Sequence, residues 1–342
     1  MPFDTILGQS KAHDYLKMLA RTQRVPGALL FYGQDGIGKA KTALEFAKAL
    51  NCQDPLARQT GDACGECASC KAIAQGTHPD VTFADFIYQA RLSVKKDFSS
   101  KGYQEELEKE IAKQQHISVE TIREVTAKSQ QKAVGGGWKV LIIDQAQTMQ
   151  AAAANALLKF IEEPPQKTVW ILITSKRTAM LKTILSRCQP LGFSPLHEQQ
   201  ILQILTQTGA ETQYPDLCAK YSGGSVSGAL KADQALTLLS SATFGPQGVD
   251  AAGPSAVTAE LSHTLVTSRQ EAAAILDVLF MALHEGWRNA NTDSSRQQYQ
   301  KTLERFENYK RSLTRNVSPA LLVETALMSL DGLHVPVFQE KL

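Results

Sequence analysis

The sequence predicts an α/β protein built on a parallel sheet and followed by a region of helices. Three observations support this fold class. Short apolar runs alternate with amphipathic segments over residues 1–195, as in a sheet with crossover helices. One apolar run leads into a glycine-rich turn ending in Lys39 and then into a helical pattern. Beyond Pro195 the pattern becomes helical only.

The first region contains strands and helices in alternation. Strands are predicted at 28–32, 81–84, 140–143 and 169–174, with a short one just after Cys188. Helices are predicted at 4–23, with a break at Gly8-Gln9, and at 42–50, 118–131 and 151–163. Residues 87–116 are predicted to form an exposed helical excursion.

The second region is predicted to form helical domains. Residues 242–255 contain three glycines and two prolines, which is typical of a linker. Long amphipathic segments at 261–287, 294–313 and 319–330 indicate a helical bundle. We therefore predict an α/β domain at 1–195, a small helical domain at 196–241 and a helical bundle at 242–342.

Composition limits the classes of function. The net charge of +2 on 342 residues does not favour tight nucleic-acid binding by the chain alone. We see no apolar run near the roughly 18 residues that span a membrane. The first residues show no secretory pattern, so a reducing, cytoplasmic location is expected.

The glycine-rich turn has the spacing of a phosphate-binding loop. Gly33, Gly36 and Gly38 allow backbone N–H groups to surround phosphate oxygens, and Lys39 supplies a positive charge. In such loops a Ser or Thr follows the lysine and holds Mg²⁺, but here the next residue is Ala40. A chance match to the glycines and lysine is the alternative interpretation.

The apolar run at 140–143 ends in Asp144-Gln145. In an ATPase of this layout the aspartate organises Mg²⁺, and a following glutamate activates the attacking water. Gln145 cannot act as a general base. The alternative role for Asp144 is to cap the next helix.

Four cysteines form a candidate metal site. Cys64, Cys67 and Cys70 are spaced as two consecutive CxxC steps, and Cys52 lies upstream. Four thiolates can close a tetrahedral structural Zn²⁺ site without an open position for catalysis. Ordinary buried thiols are the alternative. The remaining two cysteines, Cys188 and Cys218, are interpreted as packing residues.

Arg187 lies in a Ser-Arg-Cys motif between a helical run and a short strand. An arginine donated to a neighbouring subunit stabilises charge on a transferring phosphoryl group. The alternative is an ordinary surface arginine in a local salt bridge.

Several segments together resemble the clamp-loader branch of the AAA+ proteins. They cover residues 3–9 (FDTILGQ), 26–39 (PGALLFYGQDGIGK), 76–80 after the cysteines, 117–125 (ISVETIREV), 139–165 (KVLIIDQAQ to FIEEPP) and 183–196 (TILSRCQPLGFSPL). Residues 197–342 match only in helical character and in 223–230.

The resemblance implies a subunit without its own ATP chemistry. Motor subunits of the family have GK[ST] in the loop, DEAH after the strand and an arginine in the sensor-2 helix. The corresponding positions here are Ala40, Gln145 and Gly228. The nucleotide site at 33–39 and 144 is therefore expected to be degenerate, and ATP–Mg²⁺ binding there is not expected to support hydrolysis. Arg187 would act in trans as an arginine finger.

The resemblance also implies partners. They are the gamma/tau motor subunits and the clamp-opening delta subunit, in a five-subunit ring. In such a subunit residues 196–241 would be a small helical lid domain, and the helices of 242–342 would be the collar that holds the ring together. This complex of DNA polymerase III loads the sliding clamp onto primer-template DNA. One alternative is a divergent but active motor ATPase that uses Lys39 and Asp144. A stand-alone zinc and nucleic-acid-binding module is the other.

Overall fold

The computed structural model divides the chain into two compact units, Met1–Pro195 and Leu196–Leu342. The structure describes residues 2–94, 98, 100, 102–134, 136–243, 266, 268–313, 315, 317–330, 333 and 335. Among these residues, no helix combines the length and the apolar character needed to cross a membrane.

A parallel sheet of five strands forms the centre of the first unit. In spatial order the strands are β2 (Val81–Ala84), β3 (Lys139–Ile143), β4 (Thr168–Thr174), β1 (Ala28–Tyr32) and β5 (Gln189–Gly192). Every neighbouring pair is parallel. The predicted α/β class and its parallel sheet are confirmed.

The central strands are apolar because both faces of the sheet are covered. All residues of β3 and β4 are buried, and Ile142 lies opposite Ile171 in the ladder. One face packs around Phe31 and Phe46, and the other around Leu141 and Trp170. Burial on both faces explains continuous apolar runs in place of alternation.

Helices surround the sheet. They are α1 (Ser10–Thr22), α2 (Lys39–Asn51), α3 (Pro55–Thr60), α4 (Ala68–Ala74), α5 (Phe86–Ser93), α6 (Tyr103–Lys113), α7 (Val119–Gln130), α8 (Ala151–Glu162) and α9 (Lys182–Leu185). Short 3-10 helices occupy Pro2–Thr5, Ala146–Thr148 and Arg177–Ala179.

Local signals explain where several helices begin and end. The predicted break at Gly8-Gln9 is confirmed, because the chain turns at Gly8 (φ 87°), α1 begins at Ser10 and residue 4 lies in the separate 3-10 helix. The Ser118 hydroxyl accepts a hydrogen bond from Thr121 N at 3.2 Å and caps α7 as expected. Helix α8 ends just before Pro164-Pro165.

The described part of the 87–116 excursion forms two packed helices, α5 and α6. Ala90, Tyr103 and Leu107 are buried between them. Gln89 is buried at the base, where its Oε1 accepts from Ser118 N at 2.8 Å and from the Thr121 hydroxyl at 2.7 Å. The excursion therefore has its own small core and a polar anchor to the start of α7.

The second unit is helical. Its helices are α10 (Glu198–Thr208), α11 (Pro215–Lys220), α12 (Val226–Thr243), α13 (Arg269–Asn289), α14 (Asp293–Ser312) and α15 (Pro319–Met328). The linker predicted at 242–255 lies outside the described residues beyond Thr243. Helix α13 begins at Arg269 behind a Ser268 cap, and residues 261–265 and 267 of the segment predicted at 261–287 lie outside the described residues.

One apolar core runs through the second unit. It contains Leu205 of α10, Leu236 of α12, Leu279 of α13 and Phe306 of α14. Helices that the sequence predicts to form separate lid and collar domains thus share one core. Their division at residue 242 stays a prediction.

Candidate functional site

The glycine-rich loop has the backbone shape that a phosphate loop requires. Gly36 and Gly38 have φ of 75° and 97°, and Gly38 caps the start of α2. A Cβ added to Gly33 would lie 2.6 Å from Phe193 O and 2.8 Å from Ile37 Cδ1. Glycine is therefore required where the chain leaves β1, and the loop leads directly to the positive end of α2.

The Lys39 side chain folds back onto the backbone of its own loop. Its Nζ donates to Gly33 O at 2.7 Å and Gln34 O at 2.5 Å, and it lies 3.6 Å from Asp35 Oδ1. The side chain is 5 % exposed. Burial lowers the pKa of Lys39, and the charges of Asp35 and Asp144 oppose that shift. The lysine is thus held by loop carbonyls and a carboxylate at the place where phosphates would lie.

The hydroxyl that holds Mg²⁺ in such loops is missing at the expected position. Ala40 is half-buried and carries no hydroxyl. Thr42 is fully buried, and its hydroxyl lies 3.4 Å from Nε2 of His13 in α1. The Thr42 hydroxyl therefore belongs to the packing between α1 and α2. These residues do not fit an ATP–Mg²⁺ site with a complete ligand set.

The end of β3 retains one acidic group near the loop. Oδ1 of Asp144 accepts a hydrogen bond from Gln145 N at 2.9 Å. Burial raises the pKa of Asp144, and the charge of Lys39 opposes that shift. Gln145 is exposed with a φ of 50°. Neither α8 nor the preceding 3-10 helix is capped by a side chain, so Asp144 is not a helix cap.

Gly228 is the third position at which the sequence departs from a motor subunit. It lies in the first turn of α12, where its N–H donates to the Ser225 hydroxyl at 3.0 Å. A Cβ at this position would lie 2.0 Å from Ser222 O and 2.8 Å from Ser225 Oγ. Close backbone packing thus excludes a side chain where the resemblance places an arginine.

The four predicted cysteines come together. Cys52 follows α2 and Cys67 caps α4. The four Sγ atoms lie within 4.8 Å of one another, with separations of 3.5 Å (Cys52–Cys64), 3.9 Å (Cys52–Cys67) and 4.0 Å (Cys64–Cys70). Tetrahedral Zn–S bonds near 2.3 Å require sulfur separations of about 3.8 Å. The cluster can therefore hold a metal ion.

Backbone amides support the cysteine cluster. Cys67 N donates to Cys64 Sγ at 3.3 Å, and Cys70 N donates to Cys67 Sγ at 3.5 Å. Burial raises the pKa of Cys67, but N–H donors from Gln53 and Cys70 and the neighbouring thiols lower it overall to about 7. Donors aimed at sulfur thus favour the thiolate of Cys67, the form that binds metal, whereas burial raises the pKa of Cys52 and of Cys70.

An anchor that the sequence did not reveal joins the cysteine insert to the chain terminus. Asp62 is 2 % exposed, and its Oδ1 accepts from Phe3 N at 3.3 Å and from Ala63 N at 3.0 Å. Lys17 Nζ lies 3.2 Å from Asp62 Oδ2 and 3.0 Å from Asp4. No local pattern indicates these contacts, because they join residues far apart in sequence.

Arg187 lies on the surface just after α9, with a side chain 37 % exposed. Its Nε donates to Oε1 of Glu162, at the end of α8. Its Nη1 donates to Thr183 O at 3.0 Å and to Ser186 Oγ at 3.3 Å. Within the described part of the chain, Nη2 has no partner. Cys188 beside it is buried, as expected for a packing residue.

Together, these features define an AAA+-like α/β protein with an altered phosphate loop and a cysteine cluster. A solved structure of similar fold is a DNA polymerase III gamma subunit-related protein from Thermotoga maritima. That likeness has a TM-score of 0.51 at 16% identity and covers 92% of this chain and 97% of that one. The identity is too low to show more than the fold.

Sequence comparison gives the family. Residues 8–197 match the family described as "DNA polymerase III, delta subunit". The chain belongs to this clamp-loader family.

Curated relatives include both kinds of subunit. The delta' subunit of Pseudomonas aeruginosa is 39% identical over 161 residues, which cover 47% of this chain and 41% of that protein. The Escherichia coli delta' subunit is 32% identical over 220 residues, covering 64% and 58%. The tau/gamma subunit of Haemophilus influenzae is 34% identical over 243 residues, covering 69% and 31%. The chain thus matches between about a third and three fifths of these relatives' lengths.

Proposed function

We propose that the chain is a non-catalytic, delta-prime-like subunit of a bacterial clamp loader, a component of the DNA polymerase III holoenzyme. It would place Arg187 at the ATP site of an adjacent gamma/tau motor subunit. The ring would also contain a clamp-opening delta subunit and load the sliding clamp onto primed DNA. One contrast carries this proposal: the chain's own phosphate site lacks catalytic groups, whereas an exposed guanidinium is retained.

Loss of intrinsic hydrolysis follows from chemistry at three positions. Ala40 cannot ligate Mg²⁺, and Gln145 cannot accept a proton from water. Gly228 cannot carry a sensor arginine without moving the backbone carbonyl of Ser222. Each loss alone would reduce hydrolysis, and together they leave no complete route for it.

The surroundings of Arg187 suit a donated cation. Glu162, Thr183 and Ser186 hold Nε and Nη1, which fixes the plane of the guanidinium at the surface. Nη2 remains available to an anion from outside the chain. A planar, fixed fork is the geometry with which arginine contacts phosphoryl oxygens.

An active motor ATPase is the second candidate function. It is favoured by the intact loop backbone, by the proximity of Lys39 and Asp144, and by the relatives named tau or gamma. Steady ATP hydrolysis by the isolated chain would support it over the first proposal.

We also propose that Cys52, Cys64, Cys67 and Cys70 bind one structural Zn²⁺. The sulfur separations and the amide donors to sulfur support a closed tetrahedral site. When bound, the ion would crosslink the end of α2 to α4 and the loop before it.

The test is clamp loading by a reconstituted complex that carries Arg187→Ala or, as a matched control, Glu162→Gln. Both changes remove the same exposed ion pair, which is worth about 0–1 kcal/mol, so both variants should melt close to the parent protein. Glutamine keeps an Oε1 that accepts a hydrogen bond from Arg187 Nε, so Glu162→Gln leaves the guanidinium held at the surface. Only Arg187→Ala should lower DNA-stimulated ATP hydrolysis and clamp loading. Arg187→Lys should not restore them. Equal effects of Arg187→Ala and Glu162→Gln, or normal loading with Arg187→Ala, would refute the finger.

A further inference from the structure

Strand β2 leaves one of its edges open. It is the outermost strand and pairs with β3 only. Carbonyls of Asp80 and Ala84 accept hydrogen bonds from the β3 side at 2.8 and 3.0 Å. In a parallel ladder, alternate residues direct both backbone polar groups to the same neighbour. Val81 and Phe83 therefore direct theirs to the open edge.

Most of these edge groups are free to pair with another strand. The Val81 N–H already donates a hydrogen bond to the His78 carbonyl at 3.3 Å, in the turn before the strand. The carbonyl of Val81 and both polar groups of Phe83 remain, and no strand in the described part of the chain covers them. An open edge of this kind is a template for an added strand.

A groove of about 420 Å³ runs beside this edge. One wall is apolar and is formed by Leu44 of α2 and Ile73 of α4. Both residues pack on the same face of the sheet as the side chains of Val81 and Phe83. This wall would accept apolar side chains of an added strand.

The opposite wall is positively charged. Arg91 of α5 is exposed, and no described residue pairs with it. Lys128 of α7 lies 2.9 Å from the Tyr88 hydroxyl and 3.8 Å from the Glu124 carboxylate of the same helix, an exposed ion pair that is worth little, so Arg91 is the main cation of this wall. Asp85 is the acidic residue lining the groove, and its carboxylate already accepts from Tyr88 N at 2.7 Å as the cap of α5. The wall is therefore complementary to carboxylates.

We propose that β2 binds an extended acidic peptide segment of another protein as a sixth strand. Successive residues of a strand point to opposite faces of a sheet, so the segment would alternate apolar and acidic side chains. Apolar residues would meet Leu44 and Ile73, and acidic residues would meet Arg91 and Lys128. A polynucleotide could satisfy the charges, but it lacks the alternating N–H and C=O groups that the edge requires.

Fluorescence anisotropy with a labelled peptide of about eight residues, alternating valine and glutamate, tests the proposal on the full chain. Two control peptides have the same residues in separate blocks, or lysine in place of glutamate. We expect the alternating peptide to bind at least about tenfold more tightly than either control. Absence of binding, or equal binding of the blocked peptide, would overturn the proposal. So would tighter binding of a single-stranded oligonucleotide.

Two further measurements identify the surface. Arg91→Glu should weaken binding by about tenfold or more, whereas Arg58→Glu, at an exposed position of α3 outside the groove, should not change it. The peptide should also slow hydrogen exchange at the Phe83 amide, because that group gains a hydrogen bond. An unchanged exchange rate at Phe83, or equal effects of the two substitutions, would contradict docking at β2.

Discussion

The two ends of helix α2 lead to two candidate sites that differ in how many of their expected ligand groups are present. Its first residue, Lys39, closes a phosphate loop of normal backbone shape that lacks a Mg²⁺ ligand at Ala40. Its last turn leads to Cys52, where all four thiols of a candidate metal site are present. One helix thus holds an incomplete chemical site and a complete structural one.

This difference indicates what the fold needs. The backbone geometry of the loop supports packing of β1, α2 and Phe193, which would preserve it even without ATP hydrolysis. The four cysteines lie in and beside an insert with two short helices, which a bound metal ion would crosslink. Arg187 fits neither pattern, because it is exposed and its local salt bridge is worth little. This exposure is why we propose that Arg187 has a target outside the chain.

The largest effect should come from changes in the cysteine cluster that follows the C-terminal end of α2. Cys67→Ser should reduce bound zinc from one ion per chain to nearly none and unfold the 52–70 insert, since a closed thiolate site contributes directly to folding. Metal analysis and thermal melting would measure both effects. Cys218→Ala, at a buried cysteine of the second unit, is the matched control and should leave zinc content unchanged. Full zinc content in Cys67→Ser would contradict the four-thiol site.

A smaller effect is expected at Gly228. Gly228→Ala should lower the free energy of unfolding by about 1–3 kcal/mol, because the new Cβ meets the backbone carbonyl of Ser222. Lys231→Ala, at an exposed site of the same helix, should cost far less. Chemical denaturation would compare the two. A neutral Gly228→Ala would mean that α12 can shift to admit a sensor arginine.

Replacing Asp144 should change the free energy of unfolding by less than Gly228→Ala does, and in the opposite direction. Its pKa is raised from 3.8 by burial, so the native state holds the proton to higher pH than the unfolded chain does. Its contribution to stability therefore falls as pH rises from 3.8 through the raised value. Asp144→Asn should gain up to about 1 kcal/mol near neutral pH and little below pH 3.8. Loss of stability at neutral pH would show that the carboxylate is favourably placed.

The smallest expected effect is in ATP turnover by the isolated chain. Restoring Ala40→Thr together with Gln145→Glu should leave phosphate release at background, because Gly228 still supplies no sensor arginine. The parent chain should also show no turnover. Steady hydrolysis by either protein that Lys39→Met abolishes would favour the active-ATPase alternative.

The sequence predicted the sheet and the cysteine cluster well because their signals are local. Apolar runs mark β3 and β4, and CxxC spacing marks the metal ligands. Side chains that join distant segments gave no such signal. Asn51, for example, is 87 residues from Trp138, yet its Oδ1 accepts from Trp138 N at 2.8 Å. The Asp62 and Gln89 anchors were missed for the same reason.

The residue types of the candidate nucleotide site could be predicted from the sequence, but the contacts between them could not. The missing groups at 40, 145 and 228 could be read from the sequence. It did not show that Lys39 is bonded to its own loop, nor that Ser222 packs against Gly228, because both depend on backbone positions in the folded chain.

We propose that this subunit gives a cation to a neighbour and hydrolyses no ATP itself. The most direct test compares Lys39→Met and Arg187→Ala in otherwise identical reconstituted rings, by single-turnover ATP hydrolysis in the presence of primed DNA and clamp. A finger is worth about 10³–10⁵ in rate at its own site. Arg187→Ala should therefore remove one site's share of the fast hydrolysis, while Lys39→Met leaves every site at its parental rate. The reverse result, loss with Lys39→Met and none with Arg187→Ala, would contradict the claim.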